Sequence, residues 1–321
     1  MIWLGSHVSM KAPDYLLGAV KESIGYGSNA FMIYTGPPQN SKRVDVSRFR
    51  LEEAGVLMKE AGIPANRVIV HAPYIINLAN SLKPETADFG AEFLQEELKR
   101  VAQIGASTLV LHPGSHIKAG ADTGIRWIVE RLNRVLEADH SNVVIALETM
   151  AGKGTEIGRS FEELKAIRDA VIYPERIGVC LDTCHIHDAG YDLTDFDAVL
   201  DEFDRILGLD VLKVIHINDS KNVRGARKDR HENLGKGEIG FEVLYGIVHH
   251  PRLADVTKIL ETPWIDDKPP YKEEIALLRT EPAQEACRLA SLYAAQQSAA
   301  DAAEAEKATM NGQAAPDPAA V

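Results

Sequence analysis

The stretch VCLDTCHIHDAGYD (residues 179–192) closes an apolar, strand-like run with Asp182 and follows it with His185 and His187. A carboxylate and two imidazoles placed straight after a buried strand must each be solvated, paired or bound to something. Other runs end the same way: VIVHAPY at His71, LVLHPGSH at His112 with His116 close by, VIALET at Glu148, KVIHIND at His216 and KILETP at Glu261. The segment KDRHE adds Asp229 and His231, two apart, whose side chains point the same way in an extended chain. Taken singly, a strand-end His is more often hydrogen-bonded structure, and an Asp or Glu there often caps the next helix. Taken together, His71, His112, Glu148, Asp182, His185, His216, Asp229, His231 and Glu261 are hard to satisfy without cations, because few basic residues lie near those strand ends.

Ligand type narrows the metal. Imidazole with carboxylate and no thiolate suits Zn²⁺, with Mn²⁺ or Fe²⁺ as alternatives. Cys180 and Cys184 read as buried apolar thiols, since Cys180 lies inside its strand. At three protein ligands per catalytic ion, with one carboxylate bridging, nine ligands fill about three ions. Four carboxylates (Glu148, Asp182, Asp229, Glu261) leave three divalent ions with a surplus of positive charge, which suits a phosphodiester anion and a hydroxide. Clustered divalent ions are a common device for in-line attack at phosphorus.

The elements that position these groups are short apolar runs: Ile2–Leu4, Ala30–Ile33, Val68–Val70, Thr108–Leu111, Val143–Leu147, Ile177–Leu181, Leu212–Ile217 and Lys258–Leu260. Their spacing is too long for hairpins and right for βα units. Between them lie helical patterns, among them SFEELKAIRDAV with a capping-box Ser160 and Glu163, and TADFGAEFLQEELKRVAQIG stopping at Gly105. Eight strand–helix units predict an α/β (β/α)8 TIM barrel, ahead of a doubly wound open sheet. Six of the eight strands then deliver His or a carboxylate to the C-terminal rim, where such barrels carry their chemistry. The barrel is expected over residues 1–293. Residues 294–321 are Ala-rich with few large apolar groups and are expected to form a disordered tail.

Composition sets the remaining bounds. With 45% hydrophobic and 26% charged residues, this is an ordinary soluble chain, and no apolar run approaches the length of a membrane helix. No export signal is evident at MIWLGSHVSMKAPD, and three cysteines fit a reducing cytoplasm better than a disulfide framework. A net charge of −12 argues against a broadly basic nucleic-acid surface, yet residues 219–231 carry five Lys/Arg against two Asp.

The segments GSHVSM, HAPYIINLA, LHPGSH, LETMAGKGTEIG, LDTCHIHDAGYD, HINDSKNVRGARKDRHENLGKGEIG and LETP resemble the endonuclease IV family, zinc-dependent apurinic/apyrimidinic endonucleases of base-excision repair, over nearly all of residues 1–280. The resemblance implies a trinuclear zinc site on a (β/α)8 barrel. His71, His112 and Glu148 would hold one ion. Glu148 would bridge to a second completed by Asp182, His216 and Glu261, and His185, Asp229 and His231 would hold the third. It also implies double-stranded DNA as partner, cleaved 5′ to abasic sites to leave a 3′-hydroxyl and a 5′-deoxyribose phosphate, with trimming of blocked 3′ ends. Family loops after the second and third strands push side chains into the abasic gap. Here Tyr74 and Ile75 match the third-strand loop, and Gln39 falls nearest the place where other members use an arginine. Arg224, Arg227 and Lys228 read as phosphate contacts. A monomer without membrane association is expected. The closest rival is a metal-dependent sugar isomerase or epimerase on a related barrel, which would use Glu148, Asp182, His216 and Glu261 but has no need of the other five ligands. A non-enzymatic DNA-binding barrel would require ligand loss, and none is visible.

Overall fold

The computed structural model describes residues 2–312. Eight parallel strands close a barrel: β1 (Leu4–His7), β2 (Ala30–Ile33), β3 (Val68–His71), β4 (Thr108–Leu111), β5 (Val144–Glu148), β6 (Ile177–Asp182), β7 (Leu212–His216) and β10 (Thr257–Leu260), with β1 paired to β10. Two-residue strands β8 (Asp219–Ser220) and β9 (His231–Glu232) form an antiparallel clip after β7 that the periodicity did not announce. Helices α1 (Tyr15–Gly25), α2 (Leu51–Glu60), α3 (Pro84–Ile104), α4 (Ala121–Ala138), α5 (Phe161–Ala170), α6 (Thr183–Ala189), α7 (Phe196–Leu207), α8 (Phe241–Val248), α9 (Tyr271–Arg279) and α10 (Ala283–Gly312) complete the order. The fold is the expected TIM barrel.

One expectation needs correction. The first strand is Leu4–His7, not Ile2–Leu4. Its LGSH sequence lacks β-formers, but Gly5 stands beside Ala30 in register, and a Cβ there would run into the Ala30 carbonyl. Close backbone approach selects the residue, overriding propensity. At the C-terminal boundary, α10 runs from Ala283 through residue 294 to Gly312. Ala, Gln, Glu, Lys and Met are strong helix formers, so a composition too poor for a core can still extend a helix already seated on α8 and α9. Residues 313–321 lie outside the described residues.

The barrel holds two apolar layers. Residues such as Phe31, Val70, Leu111, Leu147 and Leu181 face the helices in the large outer core. Their alternates Ala30, Met32, Ile69, Val110, Ala146, Cys180, Val214 and Ile259 form a separate, fully buried cluster that plugs the barrel interior. Side chains alternate along a strand, so the position two residues beyond the last plug residue of each strand points inward again, one level closer to the C-terminal rim. Those positions are Tyr34, His71, His112, Glu148, Asp182, His216 and Glu261, and His7 stands two beyond Gly5. Every barrel strand contributes one polar side chain to a ring lying on an apolar floor.

Candidate metal centre

Glu148 is the hub of the ring. Its Oε2 lies 3.1 Å from both His71 Nε2 and His112 Nε2. Its Oε1 lies 3.0 Å from His216 Nδ1 and 3.4 Å from His185 Nδ1. His216 Nδ1 also stands 2.9 Å from Glu261 Oε2 and 3.7 Å from Asp182 Oδ2. Ligand atoms of His71, His112 and Glu148 lie within 4.8 Å of one another, as do those of Glu148, Asp182, His216 and Glu261. The two groups share Glu148, so one carboxylate can bridge two ions.

The remaining three residues converge beside them. His185 Nε2 and His231 Nε2 stand 3.1 and 3.6 Å from the same Asp229 Oδ1. Asp182 performs two tasks at once: its Oδ1 accepts the His185 N–H at the start of α6 (2.8 Å), and its Oδ2 faces the ring. The helix-cap and ligand readings of this residue are therefore compatible. Three imidazole orientations are fixed from behind by carbonyls: His71 Nδ1 by Ala72 (2.8 Å), His185 Nδ1 by Thr149 (2.8 Å) and His231 Nδ1 by Glu261 (3.2 Å). Such backing leaves the opposite nitrogen as the ligand atom.

These residues fit a group of cations. His231 Nε2 is buried with no hydrogen-bond partner, although Asp229 and Asp182 oxygens stand 3.6 and 3.7 Å away. That is too long for a hydrogen bond, but close to the roughly 3.3–3.5 Å between two ligand atoms on one tetrahedral zinc. The electrostatics agree. Burial pushes the Glu148 carboxyl up, yet His216 and His112 hold it well below the usual carboxylate range. Asp229, raised by burial but lowered more by His185, falls to about 2. Against the cost of burial, neighbouring negative charge holds His185 and His216 well above the ordinary imidazole value. The cluster demands positive charge. Cys180 and Cys184 are fully buried, and burial pushes the Cys180 thiol up to about 12 and raises Cys184 further; their sulfurs lie within 4.8 Å of ligand atoms of Glu148 and His216, and of Asp229 and His231, respectively. His116 accepts the Gly120 N–H and His187 faces the Asn222 carbonyl, so each serves a loop and not the ring.

A cavity of about 680 Å³ opens above the cluster. Tyr74 and Gln39 line it, and the Tyr74 ring lies 5.6 Å from that of His112 and 5.8 Å from that of His71, with 53% of the residue exposed. Ile75 is partly buried against the outer core, so packing accounts for much of its role. In the basic loop, Arg224 pairs with Asp192, whereas the Arg227 and Lys228 side chains are exposed. The cavity also holds His7, Tyr34, Lys153, Glu156 and Tyr271, which sequence reasoning did not single out. The period-two count would have found His7 and Tyr34 once Gly5 and Met32 were placed in the barrel interior. Lys153 and Glu156 sit on a loop whose path only the fold reveals.

The family model described as xylose isomerase-like TIM barrel matches residues 20–281. The chain is 57% identical over 287 residues to Probable endonuclease 4 of Geobacillus sp. (strain WCH70), covering 88% of this chain and 95% of that protein. Among solved structures, endonuclease IV from Thermus thermophilus superposes with a TM-score of 0.73 at 31% identity, covering 86% of this chain and 97% of that one. A 3-keto-D-glucoside 4-epimerase from E. coli superposes at 0.61 with 18% identity, covering 87% and 99%, a likeness of fold alone.

Proposed function

The chain belongs to the endonuclease IV family, and on that premise we propose that it is a zinc-dependent AP endonuclease that hydrolyses the phosphodiester 5′ to abasic sites in double-stranded DNA, leaving a 3′-hydroxyl and a 5′-deoxyribose phosphate, and that trims blocked 3′ ends. The observation that carries the reading is the pair of ligand groups sharing Glu148 beside His185 of α6, whose Nε2 meets Asp229 of the basic loop, with His231 close by. His71, His112, Glu148, Asp182, His185, His216, Asp229, His231 and Glu261 would hold three zinc ions, which would supply activation of a water and neutralisation of charge on a departing oxygen. The protein's own groups orient the reacting phosphate. Glu148 fixes the spacing between two of the groups, and Asp229 carries the third on the segment that also holds Arg227 and Lys228. An epimerase would employ Glu148, Asp182, His216 and Glu261 and leave five convergent ligands and the basic loop without a task. No helix among the described residues is long and apolar enough to cross a membrane. The enzyme is proposed to act as a cytoplasmic monomer.

The deciding experiment incubates purified protein with duplex DNA carrying one abasic site, with matched intact duplex, and with ketose sugars. A single nick with a polymerase-extendable 3′ end, and no sugar conversion, is the expected result. Sugar epimerisation without nicking would transfer the chain to the rival activity.

Two contacts are proposed for the DNA. Tyr74, three residues beyond His71, presents an aromatic ring over the ring of ligands, where it can stack on a base bordering the abasic gap, a contact worth about 1–3 kcal/mol. Tyr74→Ala is expected to weaken binding of abasic duplex about 10–100-fold while the melting temperature hardly moves. Lost stability with unchanged affinity per folded molecule would remove Tyr74 from the interface and make it rim packing.

The exposed cations form the second contact. Arg227→Ala/Lys228→Ala should weaken binding and lower the slope of log affinity against log salt by about 2, because each phosphate contact releases counterion. Arg224→Ala should do less, since Asp192 already engages that guanidinium. An unchanged slope in the double variant would mean that the loop is merely solvated.

A further inference from the structure

Outside the nine ligands, the group most heavily engaged with the basic loop is Asp188. It is fully buried on α6, three residues after the ligand His185. Its Oδ2 accepts the backbone N–H of Lys228 (3.2 Å), the backbone N–H of Asp229 (2.9 Å) and the Asn222 side-chain amide (2.9 Å). Its Oδ1 accepts the Ser220 hydroxyl at 2.7 Å. Its own carbonyl accepts the Arg227 N–H at 3.0 Å, and the adjacent His187 carbonyl accepts the Gly225 N–H at 3.0 Å. One short helix thus grips the loop on both sides of its tip.

The grip has a conformation to hold. Arg227 and Asp229 take φ of 54° and 53°, in the left-handed region that side chains with a Cβ rarely enter. Such residues persist only where their surroundings over-determine them. Asp229 is the ligand that brings His185 and His231 to one oxygen, so its backbone must be fixed for the third group to exist. We propose that Asp188 is the positioning residue of the third cation site, setting Asp229 through its backbone N–H and tying it to His185 through a single turn of α6. The proposal rests on the reading of His185, Asp229 and His231 as ligands of one ion. By the same bonds it fixes the backbone from which Arg227 and Lys228 project.

Two substitutions separate geometry from charge. Asp188→Asn keeps one carbonyl oxygen able to serve the position of Oδ2, while its NH₂ can donate to the Ser220 oxygen. Asp188→Ala removes both acceptors. Zinc-loaded wild type, Asp188→Ala, Asp188→Asn and Asp229→Ala are titrated with a graded chelator, and bound zinc is counted at each step. Hydrogen exchange is followed over residues 222–232. Asp188→Ala is expected to hold its most labile zinc about 10–100-fold more weakly and to exchange faster in that segment, with strand amides unchanged. Asp188→Asn is expected to restore both to within about threefold. Asp229→Ala is expected to lack the labile zinc altogether. If Asp188→Ala fails to fold, Asp188→Ser, small and polar, takes its place with the same readings. Wild-type zinc retention in the Ala or Ser variant overturns the proposal, as does an Asn variant as weak as Ala. An Asp229→Ala protein that still binds three zinc ions overturns instead the third-ion reading beneath it.

Discussion

Glu148→Gln is expected to lower incision of abasic duplex by about 10³-fold or more while leaving the fold intact. Each carboxylate oxygen faces a different ligand group: Oε2 faces His71 and His112, and Oε1 faces His216. An amide has nearly the same shape but offers one acceptor, and its NH₂ would direct partial positive charge at one of the two ions. Losing charge stabilisation worth several kcal/mol at the reacting phosphate corresponds to that loss in rate. Glu148 is buried at the end of β5, and the isosteric amide can still hydrogen-bond the neighbouring imidazoles, so thermal unfolding should change little. Single-turnover incision beside a melting curve reads both quantities. Turnover equal to wild type would rule out the bridging role.

The second large effect follows from ligand number. Dialysis against a strong chelator is expected to abolish incision, and stepwise return of zinc should restore it only as the third equivalent binds. The ligand groups are not alike: the one formed by Glu148, Asp182, His216 and Glu261 is fully buried except at Glu261, whereas Asp229 and His231 are partly exposed. The last ion to enter and the first to leave should therefore be the one held by His185, Asp229 and His231. Elemental analysis beside the activity curve checks this order. Full incision with a single ion per chain would end the trinuclear reading.

Seven of the nine ligand candidates were legible in the sequence because each ends or closely follows an apolar run, and a parallel barrel sends all such ends to one rim; Asp229 and His231 were legible only by their spacing of two in the loop after β7. His7 and Tyr34 escaped. The first strand is spelled LGSH, and a run sought by apolar content falls two residues early, while Tyr34 beside Ile33 reads as ordinary strand. The buried supports escaped for a different reason. Asn218 donates to Asp182 Oδ2 at 2.7 Å and accepts the Glu261 N–H at 2.9 Å, and Asp219 accepts backbone N–H groups of Ser220, Gly235, Gly237, Ile239 and Gly240. In the sequence these are polar residues in polar loops, with no period to mark them. Only tertiary hydrogen bonding distinguishes them from solvated neighbours. The start of α10 is legible after Pro282, but its course beyond about Tyr293 is not, because an Ala-rich stretch with little to bury carries no apolar period while local propensity still extends a helix anchored at its start.

The apolar plug beneath the ligand ring closes one end of the barrel. Ala30, Met32, Ile69, Val110, Ala146, Cys180, Val214 and Ile259 leave no polar passage through the barrel axis, so ions, water and chelators share a single entrance at the rim. Under the proposed activity the DNA duplex would lie across that same entrance. Metal exchange and substrate occupancy then compete in time: a molecule engaged on DNA cannot readily reload, and a molecule that has lost an ion must let go before it can be repaired. Residence of the ions becomes a property of the nucleic-acid complex as much as of the ligands, and abasic duplex should slow the release of zinc to a chelator where free nucleotide does not.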